Sequence, residues 1–175
     1  RIIVEADNGK QYELSFTNTY CKNGSLTITK NTEGDLADKT KDFAFTITFI
    51  KSGTESDSVT SYTGKIGEEP IECTIGQETS FYLHDGESLV FDDLPVGTRY
   101  VVTEAAAADG YTPSVSVIEN GEQTVTSNTT AEENALSTAN AGFSNLVGKN
   151  ENSVVFTNTC GDAPATGLVL KNLPF

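Results

Sequence analysis

An all-β sandwich is the fold expected of this chain, on three grounds. Thr and Ser account for 24 and 14 of the 175 residues, a make-up that suits pleated strands better than helices. β-Branched and aromatic residues fall in short blocks, and Gly, Asn and Asp turn signals separate the blocks. Several blocks alternate apolar and polar residues with a period of two, the pattern of a strand with one face buried.

In chain order, residues 25–30 alternate first, and residues 43–50 follow with Phe43, Phe45, Ile47 and Phe49 on one face. Further strands are expected at 61–66, 72–75, 80–83, 88–91, 99–103, 112–118 and 153–157. Asp92-Asp-Leu-Pro-Val-Gly-Thr98 separates two of these and carries the Pro and Gly of a tight reversal. Residues 121–150, rich in Thr, Asn, Ala and Glu, hold too few apolar residues to define a strand face. They read as a long surface loop, with a short helix over 131–141 as the alternative.

The segment Leu14-Ser-Phe-Thr-Asn-Thr19 recurs as Val154-Val-Phe-Thr-Asn-Thr159. One copy near each end implies a repeated unit. Residues 1–20 then read as the closing strand of a preceding domain or a strand shared between subunits, 21–160 as a complete domain, and 161–175 as a tail. Arg1 is read as a cut end, since neither an initiator Met nor a signal peptide opens the chain.

Composition narrows the function. Eleven Lys and Arg against 25 Asp and Glu give a net charge of -14 and leave no basic face for nucleic acid. No apolar run approaches a bilayer span. His84 is the only histidine and has no Cys or His at ligand spacing, so neither a metal site nor a Ser-His-Asp hydrolase is expected, and no cofactor motif is present. Glu68-Glu69 and Asp92-Asp93 read as solvated acidic faces rather than calcium loops.

One constellation stands apart. Three alternating faces end in a polar residue still in phase with the apolar ones: Leu26, Ile28, Lys30; Tyr100, Val102, Glu104; and Val154, Phe156, Asn158. If those faces point inward, an amine, a carboxyl and a carboxamide enter the core. Separate buried charges would each cost several kcal/mol, which favours a paired or covalent arrangement.

Leu26-Thr-Ile-Thr-Lys30, Leu94-Pro-Val-Gly-Thr-Arg-Tyr-Val-Val-Thr-Glu104 with Gly110-Tyr111, and Val155-Phe-Thr-Asn158 together resemble the Gram-positive pilin domains of CnaB type, over roughly residues 24–160. The resemblance implies an immunoglobulin-like β-sandwich with extended terminal strands. It implies an intramolecular isopeptide bond from Lys30 on the first strand to Asn158 on the adjacent last strand, with Glu104 as the catalytic acid. It also implies a backbone subunit of a cell-surface fibre: extracellular, joined head to tail to copies of itself, without a diffusible substrate. An enzyme acting on external substrates is not expected. The alternative from a different class is an adhesin or stalk module that contacts a host ligand or glycan through residues 121–150.

Asn18 holds the place of Asn158 in the first copy of the repeated motif, with no earlier Lys-bearing strand to serve it. If Lys30 lies abreast of Asn158 on parallel strands, Cys160 falls near residue 32, and Cys21 lies up to roughly 35 Å away. The two thiols then suit a link between stacked subunits, with isolated thiols as the alternative, while Cys73 reads as a buried strand residue. Ala163-Pro-Ala-Thr-Gly167 resembles a sortase sorting signal, with Ala where Leu is usual. Leu168 and Leu170 could instead add a strand to a neighbour's sheet edge. Asn18, Cys21, Cys160, Leu168 and Leu170 are thus the candidate contacts between subunits.

Overall fold

The computed structural model describes residues 2–5, 11–14, 23–51, 53, 58–106, 110–128, 136–138 and 145–161. These residues form strands and no helix: β1 Ile2–Glu5, β2 Gln11–Leu14, β3 Gly24–Glu33, β4 Phe43–Ile50, β5 Ser61–Ile66, β6 Glu69–Thr74, β7 Glu78–Leu83, β8 Ser88–Leu94, β9 Arg99–Glu104, β10 Tyr111–Glu119, β11 Glu122–Asn128, β12 Leu136–Ser137, β13 Asn145–Leu146 and β14 Ser153–Cys160. One sheet has the order β11-β10-β14-β3-β8-β5-β6, and the second has the order β12-β9-β4-β7 with β13 also paired to β9. β1 and β2 pair antiparallel in a sheet of their own.

The period-two pattern settles which face of each strand meets the other sheet. Along β4, Phe43, Phe45, Ile47 and Phe49 are buried, while Ala44, Thr46 and Thr48 face outward. Phe45 of one sheet meets Phe156 of the other with ring centroids 5.2 Å apart, and Phe49 meets Phe91 at 5.0 Å, both edge to face. Gly64 lets that packing close, because a Cβ there would lie 2.8 Å from the Phe91 ring. Truncating either Phe45 or Phe49 to Ala would cost about 3–5 kcal/mol.

The first and last strands of the sandwich, β3 and β14, are neighbours and run parallel. Their register departs from the expected one: Lys30 pairs with Phe156, and Asn158 pairs with Thr32. Cys160 accordingly lies abreast of Gly34, not residue 32. Gly34 has φ +96, and a Cβ there would fall 1.9 Å from the Cys160 carbonyl oxygen, so this crossing requires glycine.

Other elements also differ from expectation. β8 runs through Leu94, and the reversal is confined to 95–98, closed by Thr98 N–H donating to Pro95 O at 3.0 Å. Residues 121–150 are not one loop: β11 pairs with β10, and β12 and β13 are short bridges to β9. Leu136 and Ser137 are extended, so the helix alternative fails there. β11 lies at a sheet edge, where Glu122, Gln123 and Thr124 are exposed and backbone pairing suffices without an apolar face. In the first twenty residues, the antiparallel pair β1 and β2 stands where a single strand was expected.

Candidate functional site

β3, β9 and β14 each deliver one polar side chain to the interior between the sheets. Lys30 and Asn158 are 0% exposed and Glu104 is 1% exposed. Lys30 Nζ lies 3.0 Å from Glu104 Oε1, and Asn158 Nδ2 donates to the same oxygen at 2.8 Å. All three residues singled out by their phase are therefore brought together at one carboxyl oxygen. The offset between Lys30 and Asn158 is two residues along the strand, about 7 Å, which the flexible four-carbon stem of lysine spans.

Aromatic rings enclose the cluster. Lys30 Nζ sits 4.2 Å from the Phe43 ring centroid, Phe43 packs edge to face on Tyr111 at 5.5 Å, and Phe156 lies beside Lys30 in the register. Burial pushes the Lys30 ammonium below its ordinary range, and the nearby Glu104 charge only partly opposes it. Burial pushes the Glu104 carboxyl up, against the pull of Lys30 and the Asn158 hydrogen bond. Both shifts favour the uncharged forms. Glu104 Oε2 and Asn158 Oδ1 are buried without a hydrogen-bond partner among the described residues.

A polar roof covers the end of the sandwich above the cluster. Gly86 N–H donates to Lys30 O at 2.8 Å, and Lys30 N–H donates to Glu87 O at 3.0 Å. Thr32 N–H donates to Asp85 Oδ1 at 2.6 Å, Lys39 Nζ lies 3.2 Å from the same oxygen, and Lys39 also donates to Thr32 O. The Tyr111 hydroxyl accepts Asp38 N–H at 2.9 Å, pinning the 34–42 connection over the Phe43 edge. Sequence reasoning passed over Thr32, Phe43 and Asp85 as parts of this site. Thr32 continues the in-phase series of Leu26, Ile28 and Lys30, and that phase was the signal for it.

Of the remaining candidates, Cys160 is a half-buried free thiol at the end of β14, and Cys73 is a buried free thiol on β6. Asn18, Cys21, Leu168 and Leu170 lie outside the described residues, as does 163–167. Among the described residues, no group of three His, Cys, Asp or Glu is placed to hold a metal ion, and no helix is long and apolar enough to cross a membrane.

A family described as a domain of unknown function (DUF7601) matches residues 24–159. A relative named Pilin, from Streptococcus pyogenes serotype M1, is 28% identical over 181 residues, covering 99% of this chain and 49% of the relative. A relative named Pilus tip adhesin Cpa, from Streptococcus pyogenes, is 43% identical over 84 residues, covering 48% of this chain and 12% of the adhesin. A crystal structure of a mutant major pilin from Streptococcus pyogenes aligns with a TM-score of 0.61 at 29% identity, over 80% of this chain and 49% of that one. A major pilin from the same organism shares the fold with a TM-score of 0.63 at 24% identity, over 91% of this chain and 60% of that one. The chain spans about half the length of the curated pilin it matches, and a smaller share of the adhesin.

Proposed function

The chain belongs to the DUF7601 family and has the fold of the streptococcal pilins, and from that premise we propose that it is a structural subunit of an extracellular pilus. Its working feature is an isopeptide bond between Lys30 and Asn158. The observation that carries this reading is the meeting of Lys30, Glu104 and Asn158 in a dry, aromatic interior.

The chemistry follows from the burial. Transfer of one proton from the Lys30 ammonium to the Glu104 carboxylate leaves a neutral amine and a neutral acid, with no change in total charge. A half-turn of the Asn158 carboxamide exchanges Oδ1 and Nδ2 in nearly the same space, which sets the carbonyl oxygen against Glu104. The protonated carboxyl then donates to that oxygen and polarises Cγ. The Lys30 lone pair attacks Cγ, and the new N–C bond forms as charge gathers on the oxygen. Having passed its own proton to that oxygen, Glu104 takes the proton lost by the attacking nitrogen and gives it to Nδ2; the Cγ–Nδ2 bond breaks, ammonia leaves, and the oxygen returns its proton to Glu104 as the carbonyl re-forms. The amide replaces an ion pair whose desolvation is costly. Each molecule undergoes one turnover, and no diffusible substrate is involved.

The test is the intact mass of the folded protein. It should fall below the sequence mass by one ammonia, and Lys30→Ala, Glu104→Ala and Asn158→Ala should each restore the full sequence mass. A folded wild-type chain of full mass would end the crosslink reading. The partners proposed are further copies of the chain arranged head to tail, joined by sortase at 163–167, by a disulfide through Cys21 or Cys160, or by strand addition from Leu168 and Leu170. Electron microscopy for filaments, with gels run after boiling and after reduction, distinguishes the three. Asn18 would stay unreacted, or meet a Lys from its own preceding domain or from another subunit.

The likeness of an 84-residue segment to the tip adhesin favours a second reading, a stalk or adhesin module presenting residues 121–150. Deleting that whole segment is not a usable test, because Thr138 and Val147 within it are 0% exposed. Replacing 129–135 with a Gly-Ser linker is the suitable change, with saturable binding to glycan or matrix protein as the readout.

A further inference from the structure

The crosslinking cluster contains one buried polar group that the chemistry above does not use. Thr32 is 1% exposed, on the inner face of β3 two residues beyond Lys30. In the parallel register, Thr32, not Lys30, stands opposite Asn158, across a gap of about 4.8 Å between strands. Thr32 Oγ1 and Asn158 Oδ1 are both buried without a hydrogen-bond partner among the described residues. The backbone of Thr32 is held at both of its polar groups, the N–H by Asp85 and the carbonyl by Lys39, so the direction of the threonine side chain is set. Valine would fill the same space and suit a strand equally well without bringing a hydroxyl out of water.

We infer that Thr32 is a positioning residue for the crosslink: its hydroxyl holds the Asn158 carboxamide with the carbonyl oxygen toward Glu104 and the departing nitrogen toward Thr32. This role rests on the Lys30–Asn158 reading. A hydroxyl is suited to it because it both donates and accepts and re-aims by turning about its own Cα–Cβ bond; with Nδ2 on Glu104 the hydroxyl and Asn158 Oδ1 are not bonded to each other. With the oxygen against Glu104, Nδ2 faces Thr32 Oγ1 and donates to it. The carboxamide is then fixed at both ends, and the face of Cγ is held open to Lys30. The competing acceptor for the hydroxyl is the Asp85 carboxylate, which already takes the Thr32 N–H.

Two measurements test this. In the first, the chain is made by cell-free synthesis, and loss of ammonia is followed over time by intact mass. Thr32→Val should slow the loss about tenfold, the effect of one hydrogen bond, and Thr32→Ser should return it to within about threefold of wild type. In the second, Lys30→Ala prevents bond formation, and the Asn158 side-chain amide hydrogens are observed by NMR. Adding Thr32→Val should speed their exchange with solvent, whereas a hydroxyl bound only to Asp85 would leave them unmoved. Equal rates for wild type and Thr32→Val, or an Asn158 signal indifferent to Thr32, would overturn the assignment while the crosslink itself stands. A wild-type chain that never loses ammonia would overturn the crosslink, and this role with it.

Discussion

A lysine carried into an apolar interior must shed its charge or find a partner, and Lys30 has the means to do both. The ion pair of Lys30 with Glu104 and the neutral pair of the proposed reaction hold the same number of protons, so pH does not set the balance between them. The rate of crosslinking should therefore show a plateau around neutrality. It should fall in acid, where Glu104 is protonated beside a charged Lys30, and fall in alkali, where the amine is neutral but the acid has lost its proton. Rates of ammonia loss across a pH series check this, and a single sigmoid in place of the bell would contradict it. A separate prediction concerns Lys30→Ala, which leaves Glu104 buried without its cation. Burial holds the folded carboxyl above its ordinary value of 4.5. Its stabilising contribution is thus complete below 4.5 and is lost as pH rises through the raised folded value. Lys30→Ala should melt progressively lower as pH climbs from 4.5 toward neutrality, relative to Lys30→Ala with Glu104→Gln, which carries no such group.

At the scale of strands, the element that sets the geometry of β14 is the turn leading into it. Asn152 is buried there, and the two hydrogens of its Nδ2 are shared among Ser25 O at 2.9 Å, Gly148 O at 3.0 Å and Asn150 O at 2.8 Å. Its Oδ1 accepts Asn120 N–H at 3.0 Å and Gly148 N–H at 2.8 Å. One carboxamide thus ties the start of β3 and the β10–β11 turn to the start of β14. Asn152→Ala should cost about 3 kcal/mol in denaturant unfolding, since it leaves several backbone groups without partners. It should also slow ammonia loss, because β14 then starts less firmly in register. Alternation made most strands legible, as on β4, where every second side chain from Phe43 to Phe49 is apolar. It did not reveal β11, whose edge position asks for no apolar face, nor β12 and β13, which are too short to show a period. The register of β3 on β14 escaped for a physical reason: a slip of two residues leaves every side chain on its original face, so phase alone placed Lys30 and Asn158 in one interior but could not say which residue stood abreast of which. The same degeneracy hid Thr32.

In the whole molecule, the proposed bond joins the first strand of the sandwich to the last, and they are neighbours running in the same direction. β3 extends from Gly24 at one pole to Glu33 at the other, about 30 Å away, and β14 ends beside Gly34 at that second pole. A pull on the chain at either side of the domain enters through β3 and leaves through β14. Without a bond, parallel strands loaded from opposite ends resist only through their backbone hydrogen bonds, and once these shear the sandwich can unravel. With the bond, the load passes from Lys30 to Asn158 through an amide, and the chain between them carries no tension. Stretched by single-molecule force spectroscopy between flanking handles, wild type should show no unfolding step over the domain. Lys30→Ala should lengthen by about 450 Å, the extended span of the chain that the bond would enclose. The same loop closure predicts a loss of about 5 kcal/mol in thermodynamic stability for Lys30→Ala, through the entropy regained by the unfolded chain. If wild type and Lys30→Ala extended alike under load, the covalent path through β3 and β14 would be refuted, whatever the fibre looks like.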